Sequence, residues 1–122
     1  VDEEGIVRTM RFLANLLAAT GREKEAEPVF VEASANAAKN FGSSLFRYQL
    51  DSDFGAFLSA AERYDEAELL LSDAHAKFCA TVGASSSDAI LAARRLAALY
   101  TRWGKPDQAR DFERRCQTPG SR

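Results

Sequence analysis

The amino-acid sequence predicts an all-α chain of three helix–turn–helix units, six helices in all. Three observations carry that reading. The first is self-similarity at a fixed interval. Leu13-Ala14-Asn15-Leu16-Leu17, Phe54-Gly55-Ala56-Phe57-Leu58 and Leu96-Ala97-Ala98-Leu99-Tyr100 share a large–small–any–large–large pattern. Each is followed by a short spacer, a turn, and a small residue: Ala26, Ala67 and Ala109, which stand 41 and 42 residues apart. Phe41-Gly42 and Val82-Gly83 mark unit ends at the same 41-residue interval. The second observation is that apolar residues recur at spacings of three and four, the period of a helix with one buried face. The third is that no alternating strand pattern with hairpin turns occurs. Three prolines and seven glycines leave little room for a loop-rich fold.

In the first unit, Met10, Leu13, Ala14 and Leu17 form a helical stripe ending near Thr20-Gly21, where glycine suits a left-handed C-cap. Ala26, Val29, Phe30, Ala33, Ala37 and Phe41 form the stripe of the second helix. Pro28 lies about a turn into that helix and leaves a carbonyl near Lys24 without its partner, so a bent or loosely wound start is expected. The middle unit repeats the pattern with Phe54 and Leu58, then Ala67, Leu70, Leu71, Ala74, Phe78 and Val82. In the last, Leu96, Leu99, Tyr100 and Trp103 precede a short closing helix carrying Ala109, Phe112 and Cys116. Small residues at fixed points (Ala14, Gly55 and Ala97; Ala26, Ala67 and Ala109) let paired helices approach closely. A charge at Leu13, Phe54 or Leu96 is expected to unfold the array.

Composition narrows the function classes. Of 122 residues, 46% are hydrophobic and 28% charged, as in ordinary globular domains. Sixteen Lys and Arg against 18 Asp and Glu give a net charge of −2, which argues against nucleic acid as a partner. No apolar stretch approaches the roughly 18 residues of a membrane span. Two cysteines, Cys79 and Cys116, fit no zinc spacing, and a single histidine, His75, removes most metal sites and most nucleophile–base pairs. His75 is expected at the surface or its boundary, and the cysteines as small buried hydrophobes. No Gly-rich phosphate loop, HExxH or GxSxG occurs. The expectation is therefore no enzyme, no metal, no cofactor, and a cytoplasmic location. Val1 is not an initiator methionine and no signal peptide follows it, so a fragment or a processed product is expected.

Glu25-Ala26-Glu27-Pro28 and Glu66-Ala67-Glu68-Leu69 resemble the turn-to-second-helix motif of the tetratricopeptide repeat, in its longer form of about 42 residues. Ala14, Gly55 and Ala97 resemble that repeat's small-residue site. This form is found in kinesin light chains and many bacterial proteins. The closing Leu99-Tyr100-Thr101-Arg102-Trp103-Gly104-Lys105-Pro106 looks like the terminal repeat of bacterial serine/threonine kinases with such tails. The resemblance covers residues 6–116. Glu62 departs from it in place of the turn glycine, Asp51 stands at a usually bulky apolar position, and Ser85-Ser86-Ser87 lack the usual His-Pro. It implies a domain over 1–117 (repeats at about 5–42, 44–83 and 86–116) and a disordered tail at 118–122.

The resemblance also implies a right-handed α-solenoid whose first helices line a concave groove. Its groove positions fall on Arg8, Arg11 and Asn15, on Gln49, Ser52, Ala56 and Ser59, and on Arg94, Ala98, Thr101 and Arg102. The groove reading is a module that binds a protein or peptide, with an acidic segment or a C-terminal carboxylate as ligand. Arg11, Asn15 and Arg95 match in kind the clamp by which some co-chaperone repeats hold a Glu-Glu-Val-Asp terminus. Asp53 and Leu91 do not, and a carboxylate at Asp53 would repel such a ligand. The alternative is a regulatory or self-association tail of a larger bacterial protein such as a kinase. The opening helix supports it: Ile6, Val7, Met10 and Phe12 exceed the apolar needs of one packed face, so further repeats or a second copy are expected there. Arg94-Arg95 and Arg114-Arg115 read as solvated faces.

Overall fold

The computed structural model describes residues 3–42 and 44–115, with side chains to residue 110. The tail expected at 118–122, Cys116, and the side chain of Phe112 lie outside the described residues. Six helices follow in order: α1 (Glu3–Ala19), α2 (Glu23–Phe41), α3 (Leu45–Ala60), α4 (Tyr64–Thr81), α5 (Ser87–Arg102) and α6 (Pro106–Arg115). No strand occurs among the described residues. Helix α2 is continuous through Pro28, from Glu23 to Phe41. Pro28 is exposed, which leaves the Lys24 carbonyl open to water.

The ends of the helices follow local chemistry. Ser44 and Ser86 cap α3 and α5, their hydroxyls accepting from the backbone N–H of Arg47 (3.3 Å) and Ala89 (3.1 Å). Neither α2 nor α4 has a side-chain cap, and both open on acids, Glu23 and Glu25 or Asp65 and Glu66, at the positive end of the helix dipole. The turn within each pair is the same object three times. Gly21, Glu62 and Gly104 hold φ of 80°, 66° and 82°. The next residue's N–H returns to a carbonyl five residues back: Arg22 to Leu17, Arg63 to Leu58, Lys105 to Tyr100. Glu62 thus holds a left-handed conformation that costs an L-residue about 1 kcal/mol. Glu62→Gly is expected to raise the thermal midpoint by a few degrees in a circular dichroism melt. A lower midpoint would show that the Glu62 side chain contributes more than its backbone costs.

Each helix packs on its neighbours in sequence; beyond these, α1 touches α3 and α3 touches α5, while no two even-numbered helices approach. The odd helices therefore share one face. Ala14, Ala26, Ala33, Ala37, Ala67 and Ala74 are fully buried and set short interhelical distances. At Gly55 an added Cβ would lie 2.7 Å from Leu71 Cγ, so α3 meets α4 there at a distance that suits glycine. Phe30 of α2 joins the first pair to the second, its ring 5.2 Å from those of both Phe54 and Phe57. Between α4 and α5, Tyr100 donates to Glu68 Oε2 (2.6 Å), and Trp103 stacks with Tyr64 and Tyr100. Two expected core residues are not in the core. Leu13 and Val82 are each 43% exposed. The inner face of α1 is instead Val7, Met10, Ala14 and Leu17.

Candidate functional site

The residues with chemistry converge on the face shared by α1, α3 and α5, around Asp53. Its carboxylate is 7% exposed. Oδ2 accepts from Arg11 Nε (2.6 Å) and Asn15 Nδ2 (2.9 Å) on α1. Oδ1 accepts from Arg95 Nη1 (2.9 Å) on α5, which also donates to Ser52 Oγ (2.9 Å). Asp53 and Arg95 are 42 residues apart, in step with the turn residues Glu62 and Gly104, so one repeat position carries opposite charges in adjacent units. One buried carboxylate between two guanidiniums leaves the cluster with a single excess positive charge. The three groups that match a carboxylate clamp are thus filled by the chain's own carboxylate.

Beside this cluster lies a cavity of about 510 Å³. Its wall is apolar, with Ala18, Ala19, Phe30, Ala56, Phe57, Ala60 and Ala61, and its polar rim is Asn15, Glu23, Asp53 and Arg95. Among the other predicted groove residues, Gln49 Nε2 donates to Asp88 Oδ2 (3.1 Å) and Arg102 Nη1 to Ser59 Oγ (3.4 Å), both bridging α3 and α5. Arg8 pairs with Glu4 on its own helix and lies 4.7 Å over the Phe46 ring. Thr101 Oγ1 donates to the Ala97 carbonyl of its own helix (2.9 Å). Arg94 is exposed, and its neighbour Arg95 is the one that meets the cluster. The pair Arg94-Arg95 is therefore not a uniform solvated face. One residue along a helix turns a side chain by about 100°, which sets Arg95, the residue that matches the clamp, on the cluster and leaves Arg94, a groove position, exposed beside it.

A second buried carboxylate, Asp51, is 4% exposed on the other side of α3. Ser34 Oγ donates to its Oδ1 (3.1 Å). Arg47 Nε lies 3.4 Å from its Oδ2 but finds no hydrogen-bond partner. Burial pushes the Asp51 carboxyl above the usual aspartate range; Ser34 and Arg47 oppose the shift, and the nearby Asp73 charge adds to it. The folded chain thus keeps a proton on Asp51 at pH values where the unfolded chain has lost it. Stability falls as pH rises from the ordinary aspartate value, about 4, through the raised one, and is flat above both. Asp51→Asn is expected to melt above the parent at pH 7, with the gap closing below about pH 4. A gap independent of pH would show that the Asp51 charge is well compensated.

His75 is 5% exposed, not at the surface as expected. It follows Leu71 by four and precedes Phe78 by three, so helical spacing alone turns it inward. Its Nε2 lies 3.5 Å from Cys79 Sγ. Cys79 is half-buried, and the chain's other cysteine, Cys116, lies outside the described residues. No group of three His, Cys, Asp or Glu side chains among the described residues is placed to hold a metal ion. No described helix is long and apolar enough to cross a membrane. Comparison with protein-family models, curated proteins and solved structures finds no match to this chain.

Proposed function

We propose that the chain is a tetratricopeptide-like helical-repeat module, a solenoid that binds an extended segment of another protein on the face of α1, α3 and α5. The observation that carries this reading is the alanine-walled cavity rimmed by Asn15, Glu23, Asp53 and Arg95. Its volume suits apolar side chains of a ligand, and the guanidinium of Arg95, whose Nη1 is taken by Asp53 and Ser52, keeps its other N–H groups for a peptide backbone or a terminal carboxylate. The three identical turns at 41- and 42-residue intervals support the repeat assignment. No catalysis is assigned to the module. The ligand is a segment with a leucine or phenylalanine near an acidic residue or a free C-terminus. Because Asp53 already compensates Arg11 and Arg95, charge steers the ligand and the apolar anchor holds it.

Calorimetric titration with C-terminal peptides of this kind tests the reading. Replacing the apolar residue by alanine should weaken binding at least tenfold, and amidation or high salt should weaken it less. Ala60→Trp, at an exposed position on the cavity wall, should block binding while leaving the melt unchanged. Peptides that bind Ala60→Trp as well as the parent would overturn the groove.

A further inference from the structure

The cavity beside the Asp53 cluster has two electrically different ends. Arg8 lies over the Phe46 ring, and Arg11 and Asn15 meet Asp53, so α1 and α3 run side by side in the same direction. The alanine wall follows both helices from there, through Ala18 and Ala19 on α1 and Ala56 and Ala60 on α3. At one end, two guanidiniums around the Asp53 carboxylate leave a single excess positive charge. At the other stands Glu23, which opens α2 just past the end of α1. Glu23 is exposed, and no basic side chain among the described residues forms a salt bridge with it. Lys24, the next residue, does not line the cavity. The repeat does not call for an acid at this place. Position 23 corresponds to Tyr64 and Pro106 in the later units, whereas Glu25 corresponds to Glu66. Glu25 therefore answers the dipole of α2 as Glu66 answers that of α4, and Glu23 sets a further charge on the cavity rim.

We infer that the groove takes a protein C-terminus in one polarity, its terminal carboxylate at Arg95 and a lysine or arginine three residues earlier at Glu23. This polarity rests on the groove reading above and adds a cationic contact to it. The carboxylate end follows from spare donors. Arg95 is 25% exposed and keeps the N–H groups that Asp53 and Ser52 do not take. Asn15 gives one Nδ2 hydrogen to Asp53 and keeps the other, with Oδ1, for the adjoining peptide unit. A terminal residue bears its carboxylate and its side chain on one carbon. A leucine or phenylalanine there enters the alanine wall where that wall adjoins Arg95. The spacing follows from the helices. Asp53 to Ala60 is about 10 Å of helical rise along α3. An extended peptide covers that distance in about three residues, at roughly 3.3 Å each. A site positive at one end and negative at the other favours a ligand with opposite charges at its two ends over one acidic throughout.

Calorimetric titration of the whole chain with the acetylated peptide Gly-Ser-Lys-Ser-Phe-Leu, and with the same peptide carrying Glu for Lys, tests the polarity. The parent should bind the lysine peptide about fivefold more tightly, and the preference should fade in high salt. Glu23→Gln should abolish the preference and Glu23→Lys should reverse it, with melts close to the parent's because position 23 is exposed. Amidation of the peptide should weaken binding by the same factor in the parent and in Glu23→Gln. A lysine preference that survives Glu23→Gln would overturn the cationic contact, and amidation without effect would overturn the carboxylate contact. Equal binding of both peptides to the parent, still blocked by Ala60→Trp, would overturn the polarity and leave the groove standing. Failure of both peptides to bind, or binding that Ala60→Trp does not change, would overturn the groove and the polarity together.

Discussion

Leu96→Asp should leave no cooperative thermal transition, while Leu13→Asp should melt within a few degrees of the parent. The two leucines occupy the same position in the third and first units, and the physical difference is coverage. Leu96 is fully buried in the core shared by all three pairs, so a carboxylate there loses its water and gains no partner. That costs about 4 kcal/mol or more, a large part of the roughly 5–15 kcal/mol that holds an average domain folded. Leu13 is 43% exposed, and an aspartate there keeps its hydration. The middle member, Phe54, is half-buried and stacked on Phe30, so Phe54→Asp should fall between them. Circular dichroism melts of the three variants give the ordering directly. Equal losses would mean that α1 is covered in solution as α3 and α5 are.

Asp53→Ala is expected to destabilise the chain by about 2–4 kcal/mol, because it strips the counter-charge from two arginines at once. The lower part of the range applies if Arg11 and Arg95, 30% and 25% exposed, swing into water. The variant should recover stability with added sulfate or acidic peptide, since Arg11, Asn15 and Arg95 would then offer an open carboxylate site. Urea denaturation with and without the anion measures both effects. A variant that unfolds at the parent's midpoint and ignores anions would show that the cluster is electrostatically idle. Arg11→Glu, which sets a second carboxylate against Asp53, belongs with the fold-breaking changes and not among neutral tests of binding.

The sequence made the helices and turns legible because their causes are local. A left-handed residue is required where Gly21, Glu62 and Gly104 stand, and serines precede the capped helices wherever a cap is made. Burial was less legible because it depends on which helix lies across another. Leu13 and Leu96 have the same local pattern and opposite exposure. The site was legible in its parts: Arg11, Asn15 and Arg95 were matched in kind, and Asp53 was recognised as out of place. What spacing could not show was that these four meet, since contacts 38 and 42 residues apart are made between helices and not along one. The inward turn of His75 departs from the surface position expected of it because the same helix face carries Leu71 and Phe78.

Trp103, the chain's one tryptophan, lies in the stack between α4 and α5, with Lys105 Nζ 3.8 Å over its ring. Its emission is therefore a built-in reporter for the junction of α4 and α5. An ammonium on the indole face and two tyrosine neighbours give that fluorescence an environment which water replaces once α5 and α6 part from α4. A red shift arriving before the loss of ellipticity would register the end unit peeling away while the rest stays wound. Coincident curves would report a single cooperative body.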